Sequence, residues 1–231
     1  MSIMETLIGW VAPPQCINCG REGLALCLGC SASEIVPYGE QCWLCNVLSP
    51  GGRTCAKCRV GASPRFVWIT TNYSEAAKEL VKIYKFGHQR AAANVLSSLM
   101  VGTLLDFNDA RDIAKLDYLV IPIPTATSRI RQRGFGHGEL LARVLSHKIA
   151  LQAATALGRL GQTRQLGSRR SDRLKQPRGN YFVRLPKTIK GRNILLVDDV
   201  VTTGATIREA AKVLRKAGAQ RIDALIFAKR L

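Results

Sequence analysis

Apolar positions after residue 63 follow two alternating patterns along the chain. Apolar residues three or four positions apart predict amphipathic helices, and compact apolar runs bounded by turn residues predict buried strands. The predicted helices are 74–86, 91–105, 139–149 and 206–217, and the predicted strands are 118–121, 193–197 and 222–228. Strands that alternate with helices indicate an α/β fold, in which helices cover both faces of a mostly parallel sheet.

The first 62 residues differ, because they contain few large apolar side chains and all eight cysteines of the chain. The cysteines form four Cys-x-x-Cys pairs, and two such pairs supply the four thiolates of a tetrahedral zinc site. The gaps between pairs favour two consecutive zinc ribbons, although a cross-braced arrangement (first pair with third, second with fourth) stays open. The first ribbon would use Cys16, Cys19, Cys27 and Cys30, and the second Cys42, Cys45, Cys55 and Cys58.

Zinc is favoured over the other roles of paired cysteines. Nothing else in the chain indicates an oxidising compartment, which disfavours disulfides, and four pairs exceed what a dithiol enzyme needs. All thiolates are used in closed sites, so we expect two structural zinc ions rather than catalytic ones. The expected organisation is a zinc-binding domain at 1–62 followed by a second domain at 63–231.

The charge of the chain indicates a polyanionic partner. Thirty-four Lys and Arg residues face 16 Asp and Glu residues, which gives a formal net charge of +18. The excess is concentrated in 159–192, with eleven basic residues and one acid, and hydrogen-bonding and stacking side chains lie among them. A solvated basic surface is the alternative to a nucleic-acid contact. The nucleic-acid candidates are Arg164, Arg169, Arg170, Arg173, Lys175 and Arg178.

The apolar segments of the chain are too short for a membrane span or a secretory signal, and this bears on its location. No apolar run reaches the roughly 20 residues of a membrane-spanning helix. Residues 1–12 contain a short apolar stretch without the basic start and long apolar centre of a secretory signal. We expect this stretch to pack against the folded body, with shallow contact at a membrane surface as the alternative, and we expect a cytoplasmic protein.

The segment 194–206 combines an apolar strand, two carboxylates and a small, hydroxylated turn before a helix. Gly204 and Ala205 let backbone N–H groups approach an anion at the positive end of the helix. Asp198 and Asp199 are suited to accept hydrogen bonds from two hydroxyls of a ribose whose 5′-phosphate lies in the turn. A helix-capping role for Thr206, paired with Glu209, is the alternative for that threonine. The predicted site contains Asp198, Asp199, Val200, Thr202, Thr203, Gly204, Ala205 and Thr206.

This segment resembles the phosphoribosyl pyrophosphate (PRPP) motif of type I phosphoribosyltransferases. Further motifs narrow the resemblance to the ComF competence-protein family, over nearly the whole chain. They are the paired cysteines, Tyr84-Lys85-Phe86-Gly87, Ile121-Pro122-Ile123-Pro124, Arg131-Gln132-Arg133-Gly134-Phe135, Thr163-Arg164-Gln165-Leu166, and Arg173 with Asn180. Where that family usually reads Gly-Phe-Asn-Gln, this chain reads Gly134-Phe135-Gly136-His137, so contacts of the usual Asn and Gln are not carried over.

The resemblance implies a type I phosphoribosyltransferase-like sheet with a pyrophosphate-binding loop after residue 121. The loop candidates, whose side chains suit a diphosphate, are Thr125, Thr127, Ser128, Arg129, Arg131 and Arg133. It further implies magnesium bound with PRPP, and a hood over the acceptor pocket built from residues 73–88. The implied role is in natural transformation, with single-stranded DNA and DNA-uptake or recombination proteins as partners at the inner membrane.

Whether the chain catalyses a reaction is left open by these motifs. Asp198 and Asp199 are the catalytic candidates, because carboxylates near the ribose would stabilise a cation-like sugar. No feature specifies an acceptor, so a PRPP- and DNA-binding competence factor is the first hypothesis. The alternative is an active phosphoribosyltransferase with an unidentified acceptor, in nucleotide or cofactor metabolism. An amidophosphoribosyltransferase finds no support, because Cys16 lies too far from the amino terminus and belongs to a metal pair. The three histidines are assigned no chemistry.

Overall fold

A five-stranded parallel sheet forms the centre of the computed structural model, which describes residues 13–61, 63–86, 89–108, 110–124, 136–159 and 181–230. The strands of the sheet lie in the order β1-β7-β6-β2-β3, and every neighbouring pair is parallel. Their bounds are β1 Val67–Asn72, β2 Leu119–Pro122, β3 Gln152–Ala153, β6 Asn193–Val201 and β7 Arg221–Lys229. The predicted parallel sheet is thereby confirmed.

Helices cover both faces of this sheet. They are α1 Leu28–Glu34, α2 Glu75–Phe86, α3 Gln89–Phe107, α4 Ala110–Leu116, α5 His137–Lys148, α6 Pro186–Ile189 and α7 Ala205–Lys216. The central strands are apolar on both sides, as in parallel sheets generally, and the side chains from Ile194 to Val197 are fully buried. Leu195 and Val197 face a core formed with α2, α3 and α5, whereas Ile194 and Leu196 face a core formed with α7.

The predicted helices agree with their observed counterparts to within a few residues, but the strands differ more: the short strands β3, Leu157–Arg159 and Tyr181–Val183 were not predicted, and two longer strands also differ. β6 continues beyond the predicted end at Val197 to Val201, so Asp198 and Asp199 belong to the strand itself. β1 has no counterpart among the predicted elements, although its sequence Val-Trp-Ile-Thr-Thr-Asn is rich in β-branched and aromatic residues.

A separate two-stranded antiparallel ribbon contains β4 (Leu157–Arg159) and β5 (Tyr181–Val183). Residues 160–180, which include the nucleic-acid candidates, connect these two strands in the sequence and lie outside the described residues. The ribbon therefore fixes where the basic segment leaves and rejoins the described fold.

The cysteine-rich segment packs on both faces of the sheet. Leu26 and Ile35, from the part that contains the first four cysteines, belong to the core on the α2 and α3 side. Trp43, from the part that contains the second four, belongs to the core on the α7 side. Between the two parts, Tyr38 donates its backbone N–H to the Thr70 carbonyl of β1 at 3.1 Å. Both parts thus share hydrophobic cores with the sheet.

Within the described ranges, the helices all fall short of the length and apolar character that crossing a bilayer requires.

Candidate functional site

The turn between β6 and α7 presents backbone N–H groups at the carboxyl edge of the sheet. Gly204 adopts a left-handed conformation (φ 73°) and is the N-cap of α7, which begins at Ala205. The first turn of α7 is closed by a hydrogen bond from the Arg208 N–H to the Gly204 carbonyl at 3.0 Å. The N–H groups of a first helical turn lack partners within the helix, and they lie at its positive end. This turn therefore has the geometry of an anion site.

The hydroxylated residues of the turn are accessible to a ligand. Thr202, Thr203 and Thr206 are all exposed, as is Ala205. Because Gly204 is the N-cap, Thr206 occupies the second helical position and cannot be the capping residue of a capping box. The capping alternative for Thr206 is therefore wrong, and its hydroxyl remains a candidate ligand for phosphate.

The two carboxylates lie at the end of β6, where the strict alternation of faces seen from Ile194 to Val197 is not kept, because Val200 packs with Leu195 and Val201 with Ile194. Asp199 lies toward α2, where it pairs with Lys85. Both acids are partly buried at the end of the strand. A ribose contacted by both would lie at this strand end.

Lys85, at the end of α2, neutralises one of these carboxylates. Its Nζ lies 2.7 Å from Asp199 Oδ1, and the two side chains are only 23% and 14% exposed. His137 holds this end of α2 in place, because its Nε2 lies 2.9 Å from the Lys85 carbonyl oxygen and Tyr84 donates its hydroxyl hydrogen to the His137 carbonyl. His137 is 2% exposed, so its role is to pack and orient.

Asp198 holds a proton more tightly than an ordinary aspartate. Burial raises the pKa of its carboxyl group, as does the charge of Asp199, and the pKa reaches about 8 although the Asp199 N–H and Lys85 act in the opposite direction. The Asp198 carboxylate accepts the Asp199 N–H at 2.9 Å. Two adjacent acids that resist joint ionisation are suited to a cation or to hydroxyl donors.

The end of the β4–β5 ribbon that contains Arg159 and Tyr181 lies beside the same turn. The guanidinium of Arg159 lies 5.8 Å from the centre of the Tyr181 ring. Burial raises the pKa of the Tyr181 hydroxyl, Arg159 lowers it, Asp198 raises it, and the nearby Thr206 side chain lowers it. Tyr181 therefore connects the ribbon to both Asp198 and the first turn of α7.

A second group of basic residues lies at the end of β2. A cavity of about 110 Å³ is lined there by Pro124 and Gly136, which flank the predicted pyrophosphate loop, and by Arg159 and Arg184. The loop candidates Thr125, Thr127, Ser128, Arg129, Arg131 and Arg133 themselves lie outside the described residues. The same holds for the nucleic-acid candidates Arg164, Arg169, Arg170, Arg173, Lys175 and Arg178.

The cysteines form two groups of four, which confirms the consecutive pairing. Cys16, Cys19, Cys27 and Cys30 bring their sulfur atoms within 4.8 Å of one another, as do Cys42, Cys45, Cys55 and Cys58. The Cys19–Cys27 and Cys45–Cys55 sulfur atoms are each 3.7 Å apart. A tetrahedron with Zn–S bonds of about 2.3 Å has S···S edges of about 3.8 Å, so both groups fit zinc.

Backbone hydrogen bonds prepare the thiols for metal. Burial raises the pKa of Cys16, but N–H groups of Cys19, Cys27 and Asn18 outweigh it and lower the pKa to about 6. The Cys42 thiol has the same balance of burial against backbone hydrogen bonds, and its pKa is also about 6. Metal ligation requires thiolates, so Cys16 and Cys42 are the ligands in each group that are ready to bind near neutral pH.

The parallel sheet, with a phosphate-type turn and an acidic pair at the end of β6, defines a phosphoribosyltransferase-type domain. A family model described as phosphoribosyl transferase domain matches residues 120–231. Competence protein F of Haemophilus influenzae is 28% identical over 219 residues, which cover 90% of this chain and 94% of that protein. The DNA utilization protein YhgH of Shigella flexneri is 30% identical over 175 residues, 73% of this chain and 74% of that protein.

These relatives, together with the two groups of four cysteines, place the chain more narrowly: it belongs to the ComF competence-protein family. Among solved structures, a glutamine PRPP amidotransferase from B. subtilis aligns with a TM-score of 0.41 and 16% identity, over 59% of this chain and 26% of that chain.

Three residues of the site have roles that the sequence patterns do not reveal. Lys85 lies in a motif quoted for the family resemblance, but its ion pair spans 114 positions in the sequence. Tyr181 and Trp43 approach the turn from the ribbon and the cysteine-rich segment. Contacts between distant segments have no signal in local periodicity.

Proposed function

We propose that the β6–α7 turn binds the 5′-phosphate of PRPP, that Asp198 and Asp199 bind its ribose with magnesium, and that the chain acts with single-stranded DNA in DNA uptake. The observation that carries this proposal is the left-handed Gly204 at the start of α7, one short turn after two partly buried carboxylates. A phosphate site alone would not place acids there, since they repel an anion. A ligand with both a phosphate and vicinal hydroxyls accounts for both features.

Magnesium suits the electrostatics of the acidic pair. The raised pKa of Asp198 reflects burial first and then repulsion between two neighbouring carboxylates. A hard divalent cation that accompanies the diphosphate would reduce this repulsion, and carboxylates are its usual protein ligands. Lys85 already neutralises Asp199, which lowers the cost of bringing a highly charged anion to the site.

The DNA part of the proposal is supported by charge and by position. The basic segment 160–180 joins β4 and β5. The residues that flank it, Arg159 and Tyr181, lie at the turn. The segment therefore begins and ends beside the proposed PRPP site. The names of the relatives, competence protein and DNA utilization protein, agree with this role.

The ribose assignment is tested by equilibrium binding of PRPP with magnesium. Replacing Asp198→Asn and Asp199→Asn together should abolish magnesium-dependent binding and leave the near-UV circular dichroism unchanged, because shape is kept and charge removed. Asp112→Asn, at an exposed position on α4, is the matched control and should bind as the wild type does. Unchanged affinity in the double variant would show that the acids do not hold the ligand.

A second candidate function is phosphoribosyl transfer to an unidentified acceptor. The observation that favours it is the pKa of Asp198 at about 8, which suits a group that exchanges a proton near neutral pH. Pyrophosphate release from PRPP, measured with and without nucleobases or single-stranded DNA, separates the candidates. Release that depends on an added acceptor supports the enzyme, whereas tight binding without release supports the PRPP-binding competence factor.

A further inference from the structure

We propose that Trp43 is a positioning residue for the phosphate-binding turn, and that metal at the second group of four cysteines, but not at the first, therefore sets how well the turn binds its ligand. The ligand part of this inference rests on the proposed function. Its structural part, the coupling of Trp43 to the turn, is independent of which ligand the turn binds.

The indole ring of Trp43 lies directly against the backbone of the turn. A Cβ atom placed on Gly204 would be 2.3 Å from Cζ3 and 2.8 Å from Cη2 of Trp43, and 3.1 Å from Cδ2 of Leu44. Trp43 is 1% exposed, so the ring is enclosed between the cysteine-rich segment and the turn. Position 204 therefore requires glycine for two reasons, its left-handed φ of 73° and the approach of this ring.

The orientation of the ring depends on the metal ligands on both sides of it. Trp43 Nε1 donates a hydrogen bond to Thr54 Oγ1 at 2.9 Å, and Thr54 in turn donates to the Pro64 carbonyl at 2.8 Å. Trp43 directly follows Cys42, and Thr54 directly precedes Cys55. Metal bound by Cys42 and Cys55 would therefore fix the separation of the two residues that form the hydrogen bond.

The second group of four cysteines also holds the strand beside the turn. Lys229, at the end of β7, is 5% exposed and donates hydrogen bonds to the Tyr38 hydroxyl at 3.1 Å and to Asn46 Oδ1. Asn46 directly follows Cys45. The next residue along the chain connects to the site, because the Arg230 N–H donates to the Val201 carbonyl at the end of β6 at 2.9 Å. The segment that contains the second group of four cysteines thus contacts both the β6–α7 turn and β7.

The first group of four cysteines supplies a matched control on the other face. Its buried member Cys16 and the adjacent Leu26 pack in the core with α2 and α3 rather than with α7. Cys19 and Cys45 occupy equivalent positions in the two groups and are both exposed. Replacing either by serine removes one ligand from one group with a similar small change in volume.

Hydrogen–deuterium exchange on the zinc-loaded protein tests the positioning. Trp43→Leu should keep both metals and accelerate exchange at residues 208–211, where the amide hydrogen bonds close the first turn of α7. Cys45→Ser, which removes a ligand of the second metal, should likewise accelerate exchange at these amides, and Cys19→Ser should leave them as in the wild type. If Cys45→Ser fails to fold, Trp43→Leu alone decides, because it leaves all eight thiols in place. Unchanged exchange at these amides in Trp43→Leu would overturn the inference.

PRPP binding with magnesium tests the consequence for the ligand. Trp43→Leu should weaken binding about tenfold or more, since displacements of about 1 Å can reduce function by larger factors, and Cys19→Ser should stay within about twofold of the wild type. PRPP should also change the tryptophan fluorescence of the wild type, and this change should be absent from Trp43→Leu although Trp10 and Trp68 remain. A wild type that binds no PRPP would reject the proposed function, while amide exchange still decides the role of Trp43. A wild type that binds PRPP no better than Trp43→Leu would reject the control of affinity by Trp43.

Discussion

The replacement Gly204→Ala tests the geometry of the turn most closely, because it adds one methyl group at the contact with Trp43. Two costs are expected. Alanine in the left-handed region is unfavourable by about 1–2 kcal/mol, and a Cβ at 2.3 Å from the indole ring forces a shift of the kind that typically costs about 1–3 kcal/mol in a packed core. The free energy of unfolding should therefore fall by about 2–5 kcal/mol.

Gly191 provides the control for the backbone part of that cost. It has nearly the same φ, 76°, but a Cβ there would have no heavy atom within 4 Å. Gly191→Ala should therefore lose only about 1–2 kcal/mol. The difference between the two variants isolates the contacts with Trp43 and Leu44, and most of it should disappear when Gly204→Ala is made in the Trp43→Leu background.

Urea denaturation of the zinc-loaded proteins at one pH gives these values by linear extrapolation, with circular dichroism as the signal. Equal slopes for all variants are required for the comparison. If Gly204→Ala costs no more than Gly191→Ala, the indole ring does not press on the turn, and the reasoning from the Gly204 contact is refuted.

Three further predictions concern the acids, the metals and DNA. Without ligand, Asp198→Asn should be more stable than the wild type at pH 8 by at least about 1 kcal/mol. Folding raises the pKa of the Asp198 carboxyl group to about 8, so the wild type loses stability as pH rises from about 4 to 8. Thermal unfolding at pH 5 and pH 8 checks this, and an advantage that is larger at pH 5 would contradict the sign. Metal analysis should find two zinc ions per wild-type chain and one after Cys45→Ser; one or none in the wild type would reject the two sites. Affinity for single-stranded DNA should fall steeply with salt, and neutralising three arginines should reduce the slope of log K against log salt by about 2, whereas neutralising three exposed lysines elsewhere should change it less. The arginines are Arg169, Arg170 and Arg173, and the control lysines are Lys187, Lys212 and Lys216.

Local patterns in the sequence were sufficient for the elements that pack by a regular period. The helix predicted at 206–217 agrees with α7, whose buried residues Ile207, Ala210, Ala211 and Leu214 recur at helical spacing. The consecutive grouping of the cysteines was the favoured prediction, because short gaps separate the first pair from the second and the third from the fourth, but only the structure excluded cross-braced pairing. The position of the β6–α7 turn followed from a strand, two acids and glycine in one continuous segment.

Relations between distant segments could not be read in the same way. Nothing near Lys85 in the sequence indicates that it pairs with Asp199, since the contact depends on how α2 packs against β6. Trp43 gave no signal because an aromatic residue beside a cysteine pair is expected to stabilise its own small module. Here the ring also reaches the turn at Gly204. The extension of β6 to Val201 was missed because acidic residues are disfavoured in strands, and partners along β7 override that tendency.

The central claim is most directly tested by a crystal structure of the chain with magnesium and PRPP. The account predicts that oxygens of the 5′-phosphate accept hydrogen bonds from backbone N–H groups of residues 204–206 at about 3 Å, and that the ribose hydroxyls face Asp198 and Asp199 at the end of β6. PRPP bound elsewhere, or bound with its ribose turned away from both carboxylates, would contradict it.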